Sequence, residues 1–349
     1  MRLSQSTFTF LAFVALFLSC SKKDHEVPPV VCRYLGQNYT MDQTAGGFSS
    51  HETYISSFEQ DQDGKLLKAT GIRKTIKAAN TNTDGRSEVT ETNTFTLKYD
   101  QQGFLTELTN IKLLEQEGGL AATFLYDNYA AYHHGRIETK EVTTFQYESD
   151  LLRSSTRTRV VDFKSEQNQD VKVNADNKKE YIYETDGVLK TITETIGNSF
   201  TITQFKNGVK LSTPTTTYDE KGQVIKALYA GGEYNLTYDS KGNLITYEGT
   251  YQSKQLFLET RTYDNNTNPD KLLPAKFKGI PEEMRILQFT DGVNNIVSSK
   301  SVYPDRPPYE EKNVYTYNFA GYPASSVSTF TQADALTTKT TTYNYQDCQ

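Results

Sequence analysis

The chain contains no tryptophan and only three cysteines, three methionines and four histidines in 349 residues. Without tryptophan the best stacking platform for sugars is missing, and aromatic contacts fall to 24 tyrosines and 18 phenylalanines. His133-His134 is the one adjacent histidine pair; on a strand such neighbours point to opposite faces, and no second histidine or cysteine cluster stands ready to complete a zinc site. No Gly-x-Ser-x-Gly nucleophile turn is present, and the carboxylates are too many to single out a glycosidase pair. These absences point away from an enzyme. The chain also lacks an excess of positive charge: it carries a net −6 with Lys and Glu interspersed, which leaves no basic face for nucleic acid and no polybasic patch for anionic lipid. Apolar residues make up 36% of the chain and mean hydropathy is −0.64, so the core must be thin and a sheet with one buried face fits best.

One long apolar run is present, Phe8 to Leu18, behind the cation Arg2. It is about a dozen residues long, too short for a membrane span, and Ser19 is the small residue that signal cleavage requires. Residues 1–19 read as a secretory signal. Phe17-Leu18-Ser19-Cys20 resembles the processing box of bacterial lipoproteins, and Ser21 to Glu26 is similar to the charged tag of some surface-exposed Bacteroidetes lipoproteins. The resemblance implies palmitate-type acylation at Cys20 and a lipid-anchored place at the outer membrane, on its cell-surface or periplasmic face. Residues 20–31, with Pro28-Pro29, read as a stiff, solvated tether.

Residues 32–349 carry a degenerate repeat in which a strand ends in Tyr, a polar turn closes on Gly, and a second strand opens with aliphatics. The clearest copies are Tyr99-Asp100-Gln101-Gln102-Gly103-Phe104-Leu105, Tyr218-Asp219 to Ile225 and Tyr238-Asp239 to Ile245; looser ones span Phe58 to Leu67, Tyr183 to Leu189, Phe205 to Leu211 and Tyr317 to Tyr322. Asp at the first turn position accepts backbone N–H bonds, and Gly three residues later takes the positive φ that returns the chain as a hairpin. These units resemble the YD repeats of Rhs-type proteins and repeat-bearing Bacteroidetes outer-membrane lipoproteins, a resemblance that carries over the hairpin and no catalytic residue.

Alternation supports an all-β fold. Phe95, Leu97 and Tyr99 share one face while Thr94, Thr96 and Lys98 share the other; Ile192 and Ile196 oppose Thr191, Thr193 and Thr195. About 18 to 22 antiparallel strands are expected in a long meander, as a curved sheet or a closed soluble barrel and in one domain or two sub-lobes. A membrane-spanning barrel would need a continuous apolar band, which strands with Thr, Lys and Glu on their second face do not provide.

Setting Cys20 aside leaves Cys32 and Cys348 at opposite ends of the meander. A disulfide between them would bring the ends together and contribute up to about 5 kcal/mol in the chain-entropy model; the alternative is two separate thiols. Asn80, Asn82, Asp84 and Glu91 match the register of a calcium loop, although no flanking helices are expected and Thr-Asn-Thr-Asp-Gly also suits a plain hairpin tip. No other cofactor is indicated. The functional expectation is a non-catalytic binding or interaction module at the cell envelope, facing a glycan or an envelope protein; the alternative is a structural or assembly subunit of an outer-membrane complex.

Overall fold

The computed structural model describes residues 32–45, 48–79, 87–117, 125–126, 129–130, 135–165, 171–197, 199–206, 209–211, 213, 215–273, 277–280, 292–332, 335–346 and 348. In chain order the strands are β1 (Arg33–Ala45), β2 (Phe48–Gln60), β3 (Leu66–Ala79), β4 (Ser87–Tyr99), β5 (Leu105–Glu117), β6 (Leu125–Tyr126), β7 (Tyr129–Ala130), β8 (Gly135–Glu148), β9 (Leu151–Ser165), β10 (Val171–Tyr183) and β11 (Leu189–Ile196). There follow β12 (Ser199–Lys206), β13 (Val209–Lys210), β14 (Thr216–Tyr218), β15 (Val224–Tyr229), β16 (Gly232–Tyr238), β17 (Leu244–Tyr251), β18 (Lys254–Thr267), β19 (Asn294–Tyr303), β20 (Arg306–Tyr317), β21 (Pro323–Gln332) and β22 (Ala335–Gln346). Apart from the small β6–β7 hairpin they form one antiparallel meander, as the alternation requires.

The meander curls until β1 pairs with β22 along Arg33↔Gln346 to Asp42↔Thr338. The ring is not closed. Between β12 and β14 the ladder thins to the two-residue β13 and a single Thr213↔Thr216 bridge. Strands from β11 to β17 are also short beside the 13 to 15 residues of β1 to β5 and β8 to β10, so the wall is low on that side.

The repeats form the hairpins expected of them. At Asp61, Asp100, Asp219, Asp239 and Asn318 the side-chain Oδ1 accepts the backbone N–H groups two and four residues on, while Gly64, Gly103, Gly222, Gly242 and Gly321 take positive φ. The register slips next to the turn, as at Lys98/Tyr99 and Thr237/Tyr238. Beside such slips the start of the next strand is buried: Leu66 and Leu105, which open β3 and β5, and Leu152, second in β9, are each fully enclosed. A second device recurs. Tyrosine hydroxyls donate to a carbonyl at or close to the start of the preceding strand of the meander: Tyr99 to Leu66, Tyr147 to Leu105, Tyr183 to Leu152, Tyr238 to Val224, Tyr263 to Leu244, Tyr315 to Ile296 and Tyr345 to Pro323.

The turn-bearing end is filled. Tyr34, Phe58, Leu97, Phe145, Tyr181 and Phe205 pack with Leu273, Phe277 and Ile280 from the β18–β19 connection. That connection starts with a 3₁₀ turn, Pro269–Leu272, capped by Asn268, and reaches across to the turns opposite, where Leu152 N–H donates to the Gly279 carbonyl at 3.1 Å and Lys278 lies 4.2 Å over the Phe104 ring. Asparagines take over where apolar residues are few. Asn243, fully buried, donates to Asp239 Oδ2 and Asn294 Oδ1 and accepts from the N–H groups of Val293 and Asn294, so every polar atom of its amide is used.

The outward rows carry Thr and cross-strand ion pairs, including Lys68–Glu59, Lys98–Glu107, Lys226–Glu233 and Lys300–Glu310. Apolar couples such as Ile55–Ile72 and Val314–Val327 are scattered among them. This is a wet face and not the apolar band of a lipid-facing barrel. No helix among the described residues is long and apolar enough to cross a membrane.

A candidate binding surface on the inner wall

Above the filled end the inner wall is polar and charged. On β2 to β5, Arg73 lies 3.4 Å from Glu52 and 3.7 Å from Glu91, and Lys112 lies 3.0 Å from Glu91. The Tyr39 hydroxyl donates to Glu52 at 2.6 Å, and burial together with that carboxylate pushes the phenol up to about 12. Glu91, the distal member of the calcium pattern, is thus held by two cations. Its companions Asn80, Asn82 and Asp84 lie outside the described residues, as do His133 and His134. Among the described residues, no cluster of three or more His, Cys, Asp or Glu could hold a metal ion.

Further round, β4, β5 and β8 to β13 enclose a cavity of about 490 Å³. Its apolar floor includes Phe95, Phe145, Ile192 and Phe205, and its walls carry Asn110, Asn177, Glu141, Glu194, Arg157, Lys179 and Lys210. Glu141 pairs with Arg159 at 3.4 Å and Glu194 with Lys179 at 3.3 Å. Burial pushes the Glu194 carboxyl up, but the Asn177 amide and the Lys179 ammonium outweigh it and hold the group below the usual carboxylate value. Asn177 is 5% exposed. A smaller cavity of about 210 Å³ lies between β1 and β19 to β22, lined by Asp270, Glu311, Asn313 and Lys339; burial lowers the Lys339 ammonium.

On the low side of the ring the same inner face becomes aromatic. Tyr234 stacks on Tyr247 with centroids 6.1 Å apart, Tyr247 meets Phe257 edge-on at 4.9 Å, and Phe257 lies 6.2 Å from Tyr303. Gly249 makes this possible, since a Cβ there would collide with the Phe257 ring. At the rim Tyr251 is 44% exposed and Tyr229 75% exposed. Such rings offer contact area at little conformational cost. The sequence reading did not find this strip; its signal was the period-2 spacing of Tyr247, Gly249 and Tyr251, which puts all three on one face.

Cys32 and Cys348 are joined in a disulfide with Cα atoms 4.3 Å apart, at the filled end. Cys20 and the proposed tether lie outside the described residues.

No family model and no curated protein matches the chain. Among solved structures it is similar to a porin-like protein from Bacteroides uniformis, at 13% identity over 91% of this chain and 98% of that one, with a TM-score of 0.34. It is also similar to the β domain of the Bordetella autotransporter Brka, at 7% identity over 90% of this chain and 99% of that one, with a TM-score of 0.21. At these values neither likeness decides what this chain does.

Proposed function

We propose that the protein is a non-catalytic binding module anchored to the outer membrane through lipid on Cys20, with the inner wall of the ring as its ligand-facing surface. The observation that carries this reading is the aromatic strip of β15 to β19. Tyr229 and Tyr251 stand exposed at the low rim, on the face that elsewhere builds the core, and exposed rings beside fixed charges are what ligand surfaces are made of. Cys32 opens the described chain at the filled end, so a tether leaving from there turns the other end of the ring, and with it the aromatic rim, away from the membrane. An assembly subunit docking by its sheet face would want a broad apolar outer surface; here Thr rows and ion pairs break that surface up.

Two measurements test the reading. Cys20→Ala should release the protein from the membrane fraction, and acyl labelling should be lost with it. Arrays of glycans and envelope proteins should yield a ligand whose affinity falls about tenfold in Tyr229→Ala/Tyr251→Ala, as loss of two contact rings implies. A ligand indifferent to both rings, or a Cys20→Ala chain that stays membrane-bound, overturns it.

A further inference from the structure

We propose that the cavity enclosed by β4, β5 and β8 to β13 is a subsite for one acidic sugar residue of a hydroxyl-rich glycan. The inference rests on the binding reading above and names a ligand class for it.

The key group is Asn177. Its Nδ2 donates to the Glu194 carboxylate, and because a carboxylate only accepts, this bond fixes which end of the amide is nitrogen. The other end, Oδ1, is buried with no hydrogen-bond partner, although the residue is only 5% exposed. Asn110 Oδ1, on the same cavity wall, is also buried and unpartnered. An orphaned buried acceptor costs about 1–3 kcal/mol, so two in one cavity mark a place that favours a donor-bearing occupant.

Charge narrows the occupant. Glu141 and Glu194 already hold Arg159 and Lys179. Arg157 acts on Glu194 through space only, and Lys210 lies 5.1 Å over the Tyr218 ring. Along the lining, three cations face two carboxylates, which leaves an excess of positive charge for a ligand carboxylate. The floor of Phe95, Phe145 and Phe205 offers apolar rings on which the C–H face of a sugar can rest. A hydroxyl group donates and accepts through one atom, and so suits Asn oxygens beside the hydroxyls of Thr143 and Thr203. An acidic peptide would bring a carbonyl acceptor with each N–H and set acceptors against acceptors. The volume, about 490 Å³, lies within the range of small-molecule sites.

The test is calorimetry on the full-length lipidated chain in detergent. The probes are a tetragalacturonide, its carboxyl-reduced neutral counterpart and a tetraglutamate peptide. Saturable binding of the tetragalacturonide is expected, with the neutral sugar at least about tenfold weaker through loss of the charge-assisted contact. Arg157→Gln, an exposed change that leaves the fold alone, should erase most of that difference. Asn177→Leu should weaken both sugars, while Val314→Ala, an exposed change on the outward face, leaves the tetragalacturonide unchanged. No saturable binding at millimolar sugar, equal affinity for acid and neutral sugars, or preference for the peptide overturns the proposal. A ligand sensitive to Tyr229 and Tyr251 but indifferent to Arg157 and Asn177 overturns this subsite and leaves the binding module standing; absence of any ligand from the wider screen overturns the module itself.

Discussion

The Tyr99 hydroxyl donates to the Leu66 carbonyl oxygen at 2.8 Å, tying the end of β4 to the fully buried residue that opens β3. Six further tyrosines make the equivalent bond, so each latches the hairpin before its own. Tyr99→Phe keeps the ring and removes the donor, leaving a carbonyl in a closed environment without its partner. A loss of about 1–2 kcal/mol is expected, read as a lower denaturant midpoint with unchanged slope. An unchanged midpoint would mean that the ring alone holds the turn. Burial pushes the Tyr99 phenol up to about 12. The folded value lies above the unfolded one, so this contribution is fully present below pH 10 and lost as pH rises through 12; tyrosinate absorbance should lag behind that of the unfolded chain.

What was legible in the sequence follows from the physics of each feature. The Asp-x-x-Gly turns could be read because a hydrogen-bonding side chain and a positive-φ glycine act within five residues. The inward set Phe95, Leu97, Tyr99 could be read because strand period is 2. The cysteines at the two ends were the one signal that β1 meets β22; the reach of Leu273, Phe277 and Ile280 across the turn end and the tyrosine latches could not be read. Each joins residues whose separation in space depends on the curvature of the whole sheet, and curvature has no local code. The Asn177 site was invisible for the same reason: its neighbours Asn110, Phe95 and Phe205 come from strands far apart in the chain.

Gly36 and Gly187 should separate two kinds of glycine. Both have positive φ, but at Gly36 a Cβ would run into the Ser56 backbone, whereas at Gly187 nothing lies within 4 Å. Gly187→Ala then meets only the backbone preference and should cost about 1–2 kcal/mol. Gly36→Ala must also push β1 from β2 and should cost more than about 3 kcal/mol or abolish folding. Equal costs in thermal melts would show that β1 shifts freely.

The Cys32–Cys348 bond closes a loop with a sequence separation of 316. The same ends are also paired in the sheet, Arg33 with Gln346 and Tyr34 with Tyr345. Removing the bond should therefore leave the fold intact while relaxing the unfolded chain, at a cost of up to about 5 kcal/mol. Cys32→Ser/Cys348→Ser and the wild type under reductant should melt at one common, lower temperature, and reductant should do nothing further to the variant. A reductant-insensitive wild type would rule the stabilising role out.

Asp270 gives the fold a pH dependence of known sign. It sits on the connection that crosses the turn end, within electrostatic reach of Tyr34, Tyr343 and Tyr345, and burial raises its carboxyl from 3.8 to about 6, with Lys271 opposing. The folded state holds the proton more tightly than the unfolded chain does. Its contribution is therefore fully present below about pH 4 and lost as pH rises through about 6, a swing of about 2–3 kcal/mol at 1.36 kcal/mol per unit. Asp270→Asn has the same shape and no proton to lose, so it should match the wild type near pH 4 and exceed it by about 2 kcal/mol at pH 8. The difference between their unfolding free energies, followed from pH 4 to 8 by urea denaturation, reports this one group. Parallel profiles would mean that the carboxylate is solvated in the folded state and that the crossing segment packs less closely against the aromatic layer than its burial implies.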